Sequence, residues 1–105
     1  MIYYNKEHML DVINLFVYII MDKIHAHFLR KCKEAKSLKK LSNENMLLLY
    51  GYYKQATVGN NETPKPSIFS FKESSKWKAW NKQTDLSKEI AMSSYIELVK
   101  KLQQN

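Results

Sequence analysis

Ser42-Asn43-Glu44-Asn45-Met46-Leu47-Leu48-Leu49-Tyr50-Gly51-Tyr52-Tyr53-Lys54-Gln55-Ala56-Thr57-Val58-Gly59 is the stretch that decides the fold. Ser42 supplies an N-cap oxygen in front of Asn43-Glu44, and the acid lies near the positive end of the helix dipole. The strongly apolar run from Met46 to Val58 continues the helix, and Gly59 can end it because glycine takes positive φ without steric cost. Tyr50, Tyr53 and Lys54 stand at i, i+3 and i+4 and share a face, with Met46 and Leu47 one turn earlier. A buried stripe seldom includes a lysine, and a solvated one seldom includes two tyrosines. The pattern suits a ligand with an aromatic or sugar part, an anionic part and an apolar part. Tyrosine offers a stacking face and a hydroxyl, and lysine offers charge-assisted bonds to phosphate.

On the C-terminal side, residues 59–72 (GNNETPKPSIFSFK) hold both prolines and no periodicity. They read as a long ordered loop, because Ile68, Phe69 and Phe71 are too apolar to leave in water. Ser74 or Ser75 can then cap a short helix bearing Lys76, Trp77 and Trp80, with the tryptophans as core anchors. A final helix opens at Ser87, and Ala91, Tyr95, Leu98 and Leu102 repeat along one of its faces. On the N-terminal side, Ile24, Phe28, Cys32, Ala35 and Leu38 make the stripe of an amphipathic helix from Lys23 to about Lys40. Four helices therefore account for the chain beyond residue 22, and no internal repeat is visible.

The 105 residues make one domain's worth of chain, and 45% hydrophobic content with 2 Gly and 2 Pro excludes collagen and wholesale disorder. So few turn residues also disfavour a many-stranded sandwich or barrel. The single cysteine, Cys32, forms no internal disulfide and offers no zinc spacing, which fits a reducing compartment. His8, His25 and His27 form no base-and-nucleophile arrangement, and Cys32 lies on an apolar stripe. With no phosphate loop and no paired-carboxylate site, an enzyme lacks its constellation.

The formal charge is +7 and unevenly placed. Lys6 and Lys23 stand against Glu7, Asp11 and Asp22 in residues 1–27, a net −1, so the remainder carries +8. Such a basic body suits phosphate-bearing partners: a small polyanionic ligand, an anionic membrane or nucleic acid. Arg30 is the one arginine, whereas a base reader more often uses arginine forks. The apolar run Met9–Met21, broken by Asp11 and Asn14, is shorter than the roughly twenty residues of a membrane span and lacks a cleavage site. It reads as a helix packing on the body or touching a membrane surface, or as residues upstream of a translation start at Met21.

Tyr50-Gly51-Tyr52-Tyr53-Lys54-Gln55-Ala56-Thr57-Val58-Gly59 resembles the signature of the acyl-CoA-binding protein family. Phe71-Lys72, Lys76-Trp77-Lys78-Ala79-Trp80-Asn81 and Ser87-Lys88-Glu89-x-Ala91-Met92-x-x-Tyr95-Ile96 match the family's remaining blocks, so the resemblance runs from about Phe28 to Leu102. It implies an all-α, up-down-down-up four-helix bundle over residues 23–105, preceded by an N-terminal extension over 1–22 that has no counterpart in the family. It also implies a non-enzymatic, cytoplasmic, monomeric carrier of long-chain fatty acyl-CoA that serves lipid transport and fatty acid metabolism. The carrier would need no cofactor and no metal.

Residue by residue, the resemblance places Tyr50, Tyr53 and Lys54, with the intervening Gly51 and Tyr52, together with Lys76 and Tyr95, at the adenine and 3′-phosphate of coenzyme A. Lys36 and Lys72 match further basic contacts, and Phe28, Cys32, Met46 and Leu47 match the acyl-chain groove. Enzymes that use acyl-CoA are implied partners, transient membrane contact is left open, and nucleic acid is not expected. The chain departs from the family pattern at Leu41, where proline is usual, in one residue missing between Leu38 and Leu41, and at Lys78, where an acid is common. The rival reading from another class is a peripheral-membrane adaptor that uses residues 9–21 and the basic body.

Overall fold

The structure is a computed structural model that describes residues 6–104. Residues 1–5 of the expected extension, Asn105 and the side chain of His8 lie outside the described residues. Among those described, the elements are α1 (Lys6–Ala35), α2 (Asn43–Thr57), α3 (Phe71–Asn81) and α4 (Lys88–Gln103), which is the all-α, four-helix class expected. α4 packs against both α1 and α2, and α3 packs on α2. Phe28, Leu49, Ala56, Ala91, Tyr95, Ile96 and Val99 form the core, with Cys32, Ala35, Leu38 and Leu98 packed against it. Each large apolar side chain sealed there contributes about 1.5–3 kcal/mol.

The serine caps fall where the sequence places them. The Ser42 hydroxyl accepts from the Asn45 N–H at 3.1 Å, and the Ser87 hydroxyl accepts from the Ile90 N–H at 3.1 Å. Gly59 has φ 100°, and the chain leaves α2 there. α3 differs from expectation: it begins at Phe71 instead of after Ser74 or Ser75. Ser70 occupies its N-cap position but makes no side-chain cap bond.

α1 departs furthest from the reading of the sequence. It is one helix of 30 residues through Met21 and Lys23, where a start near Lys23 was expected, and it ends at Ala35 instead of near Lys40. No glycine or proline interrupts residues 6–35, so nothing stops the helix at 22. After Ala35 the chain turns, and Leu38 and Leu41 fold onto the core. Residues 9–23 are all exposed, and burial starts only at Ile24. The apolar run therefore does not pack on the body, which corrects that expectation. By length and composition α1 is long and apolar enough to cross a membrane between Met9 and Ala35.

The 58–70 connection is held by polar bonds more than by its apolar residues. Trp80 Nε1 donates to the Gly59 carbonyl at 2.8 Å, and Trp77 Nε1 donates to the Thr63 carbonyl at 3.0 Å. Buried Gln55 donates through Nε2 to Asn60 Oδ1 and to the Leu86 carbonyl, both at 2.8 Å. Asn60 Oδ1 also accepts from the Asp85 N–H at 2.7 Å, which joins the end of α2 to the α3–α4 turn. Ile68, Phe69 and Phe71, expected to be covered, are 72%, 84% and 80% exposed. Hydrogen bonding of the backbone to the tryptophans orders this loop without burying them.

Candidate functional site

The outer face of α2, the first turns of α3 and Tyr95 of α4 enclose an open pocket of about 740 Å³. Met46, Leu47 and Leu49 supply an apolar wall from α2, continued by Phe71 at the start of α3. Tyr50 and Tyr53 line the same wall one turn further on, and Lys72 and Lys76 face them from α3. One concave surface thus carries an apolar section, two tyrosine rings and two lysines. This is the composition that the spacing along α2 called for, completed by a second helix.

Gly51 makes this geometry attainable. A Cβ at Gly51 would overlap the carbonyl oxygen of Ala79, so only glycine lets α3 approach α2 this closely and bring Lys72 and Lys76 opposite Tyr50. Tyr52 points the other way and packs partly buried against the core. Gly51 and Tyr52 therefore stand behind the pocket wall, as packing residues.

The pocket floor is aromatic. Phe28 of α1 meets Tyr95 edge-on at 5.1 Å between centroids and stacks on Tyr53 at 6.1 Å, tying α1, α2 and α4 together. Phe28 is sealed in the core beneath the pocket, and Cys32, one turn on, is partly buried beside it. Of the four residues matched to an acyl groove, Met46 and Leu47 line the pocket; Phe28 and Cys32 do not. The Tyr95 hydroxyl and the Cys32 thiol are close enough to influence each other's proton. Burial is the main cause that pushes both up from their ordinary values, so both keep their protons at neutral pH.

The matched lysines divide into two groups. Lys76 Nζ stands 5.1 Å from the Tyr50 ring centroid, a cation–π contact at the pocket wall, and Lys72 is one turn earlier on α3. Lys54 lies outside the pocket lining, with its ammonium 4.7 Å over the Trp80 ring. Lys36 is exposed just beyond α1, close enough to Cys32 to pull that thiol's pKa down against the larger effect of burial. The pocket opens beside the N-terminus of α3, whose first-turn N–H groups lack a side-chain cap and add positive potential near Lys72.

The sequence reading missed Asn43, Leu49, Phe71 and Ser75 as pocket residues. Asn43 extends the Met46/Leu47–Tyr50 stripe back by one turn, and Ser75 is four residues from Phe71, so helical spacing could have found both. Among the described residues, no group of three or more His, Cys, Asp or Glu side chains could hold a metal.

A four-helix fold with a pocket of tyrosine, lysine and apolar groups defines a ligand-binding protein, with no catalytic constellation among the described residues. A sequence model of the family described as "Acyl CoA binding protein" matches residues 25–99, and the chain belongs to this family of non-enzymatic binding proteins. It is 50% identical over 76 residues to acyl-CoA-binding domain-containing protein 1 of Oryza sativa subsp. japonica, covering 71% of this chain and 84% of that one. It is likewise 50% identical over 74 residues to the acyl-CoA-binding protein of Brassica napus, covering 67% and 80%. The crystal structure of Oryza sativa acyl-CoA-binding protein 2 superposes with a TM-score of 0.77 at 46% identity, covering 78% of this chain and 90% of that one. The family match begins at residue 25, next to the point where burial of α1 begins.

Proposed function

We propose that this protein is a cytoplasmic, monomeric carrier that binds long-chain fatty acyl-CoA reversibly, maintains a pool of it and hands it to enzymes that use it. The observation that carries this reading is the convergence of Lys72 and Lys76 with Tyr50 and Tyr53 on a surface that continues into Met46, Leu47 and Phe71. Lys72, Lys76 and the α3 N-terminus receive phosphate, the tyrosine rings receive the adenine, and the apolar wall receives the start of the acyl chain. Lys54 joins them by leaving Trp80, since a cation–π contact over this buried ring, worth about 1–2 kcal/mol, gives way to two charge-assisted bonds to phosphate worth about 1.5–3 kcal/mol each. No bond is made or broken, and the protein's work is selection and shielding.

Titration with acyl-CoAs of graded length tests this. Each methylene buried adds ~0.8 kcal/mol, so two more carbons tighten binding about tenfold until the apolar wall is covered. An affinity indifferent to acyl length would leave a coenzyme A binder with no role for the Met46–Leu47 wall.

A further inference from the structure

The exposed half of α1 is not uniformly apolar. At 100° per residue, Asp11, Asn14, Tyr18, Asp22 and His25 fall on one stripe within about 80° of arc. About two thirds of the circumference is apolar, and Met9, Phe16 and Ile20 stand opposite the stripe at 52%, 65% and 44% exposure. The row on the side away from Ile24, Phe28 and Ala35, which meet the body, is Val12, Phe16, Ile19, Lys23, Ala26, Arg30 and Lys33, with Glu34, paired to Lys31, as the one acid beside it. It is apolar along the overhanging half and basic along the half beside the bundle, and every member is exposed.

We infer that residues 9–22 of α1 lie in the interfacial plane of a lipid bilayer. The apolar arc enters the acyl region, the Asp11–His25 stripe faces water, and Lys23, Arg30 and Lys33 meet anionic headgroups. An in-plane helix buries its apolar face about 5–10 Å deep, which suits an arc this wide. A transmembrane placement fits less well, because α1 is long enough to span only by including Ile24 and Phe28, which pack on the bundle. The stretch 9–23 that stands clear of it reaches only about 22 Å against a hydrocarbon core of about 30 Å. A second copy of the chain fits less well too, because a helix–helix seam covers about 100° of arc and would leave the larger part of the apolar surface in water. This placement is independent of the acyl-CoA reading, since none of these residues lines the pocket.

Sedimentation of the full chain with phosphatidylcholine vesicles, with and without phosphatidylserine, tests it. The chain is expected to sediment with both, more strongly when phosphatidylserine is present. Phe16→Glu or Ile20→Glu should lower partitioning about tenfold or more, since a buried charge costs at least the 1.4 kcal/mol of one decade. Asn14→Glu, on the water-facing stripe, should bind as the parent does. Residues 9–23 are all exposed, so unchanged thermal unfolding shows that each variant is folded. A parent chain that stays in the supernatant overturns the inference. So does a Phe16→Glu variant that binds as well as the parent, or an Asn14→Glu variant as impaired as Phe16→Glu, the mark of a spanning helix. Sedimentation velocity without lipid should give a monomer; a dimer dissolved by Phe16→Glu would assign the arc to a second copy instead.

Discussion

Replacing Lys76 by alanine is the sharpest perturbation of the pocket. The Lys76 ammonium stands 5.1 Å over the Tyr50 ring and faces the pocket from α3, while Lys72 and the helix N-terminus remain in the variant. Loss of one charge-assisted bond to phosphate costs about 1.5–3 kcal/mol, which is roughly tenfold to a hundredfold in Kd. The same substitution removes a partly exposed cation–π contact worth about 0.5–1 kcal/mol. For a domain of this size that lowers Tm by only a few degrees, about 4–8 °C per kcal/mol. Calorimetric titration with palmitoyl-CoA, beside a thermal melt, separates the two effects. On the proposed function, in which Lys76 meets the nucleotide end, free coenzyme A should lose the same factor. An unchanged Kd in a variant that melts normally would refute the assignment, as would a loss seen only for the ligand that carries a tail.

Three further outcomes follow from the packing. Gly51→Ala pushes a methyl into the Ala79 carbonyl; the strain of about 1–3 kcal/mol outweighs alanine's helix preference of up to about 1 kcal/mol, so a thermal melt should show a lower Tm, and a rise would contradict the close α2–α3 approach. Cys32 and Tyr95 hold their protons more tightly in the fold than at their ordinary pKa values of 9.0 and 10.0. The unfolded chain therefore releases these protons first, and the stability these two groups contribute is constant through neutrality and falls as pH rises past 9; denaturant midpoints that rise between pH 9 and pH 10 would reverse that sign. A chain beginning at Met21 keeps every residue of α1 that meets the body and should melt and bind acyl-CoA as the full chain does, whereas loss of cooperative melting would make residues 1–20 part of the core.

The parts legible in the sequence are those fixed by local chemistry. Ser42, Gly59 and Ser87 act through their own backbones or their own next turn, and all three end or begin helices as their residue types dictate. Helical spacing likewise put Met46, Leu47, Tyr50 and Tyr53 on one face, and the pocket keeps them together. What periodicity along one helix cannot supply is the partner. Lys54 satisfies the α2 stripe, yet its ammonium settles on Trp80, a residue 26 positions away whose approach depends on α3 packing. Phe28 shares a stripe with Cys32 but is sealed by Tyr53 and Tyr95 from two other helices. Hydrophobicity alone mispredicted Ile68 and Phe69, because Trp77 and Trp80 order that loop through its carbonyls. The boundary drawn at residue 22 came from starting the amphipathic stripe at Lys23, and α1 carries no helix-breaking residue there.

The central claim is that the pocket recognises the nucleotide end of an acyl-CoA, and the most direct test is a calorimetric comparison of palmitoyl-CoA, its 3′-dephospho analogue and free palmitate on the unaltered chain. Convergent lysines predict that removing the 3′-phosphate costs on the order of 3–6 kcal/mol, two charge-assisted bonds, and that palmitate binds weakly because it presents nothing to Tyr50, Lys72 or Lys76. Three ligands that titrate alike would contradict the claim and reduce the pocket to an apolar surface with lysines nearby.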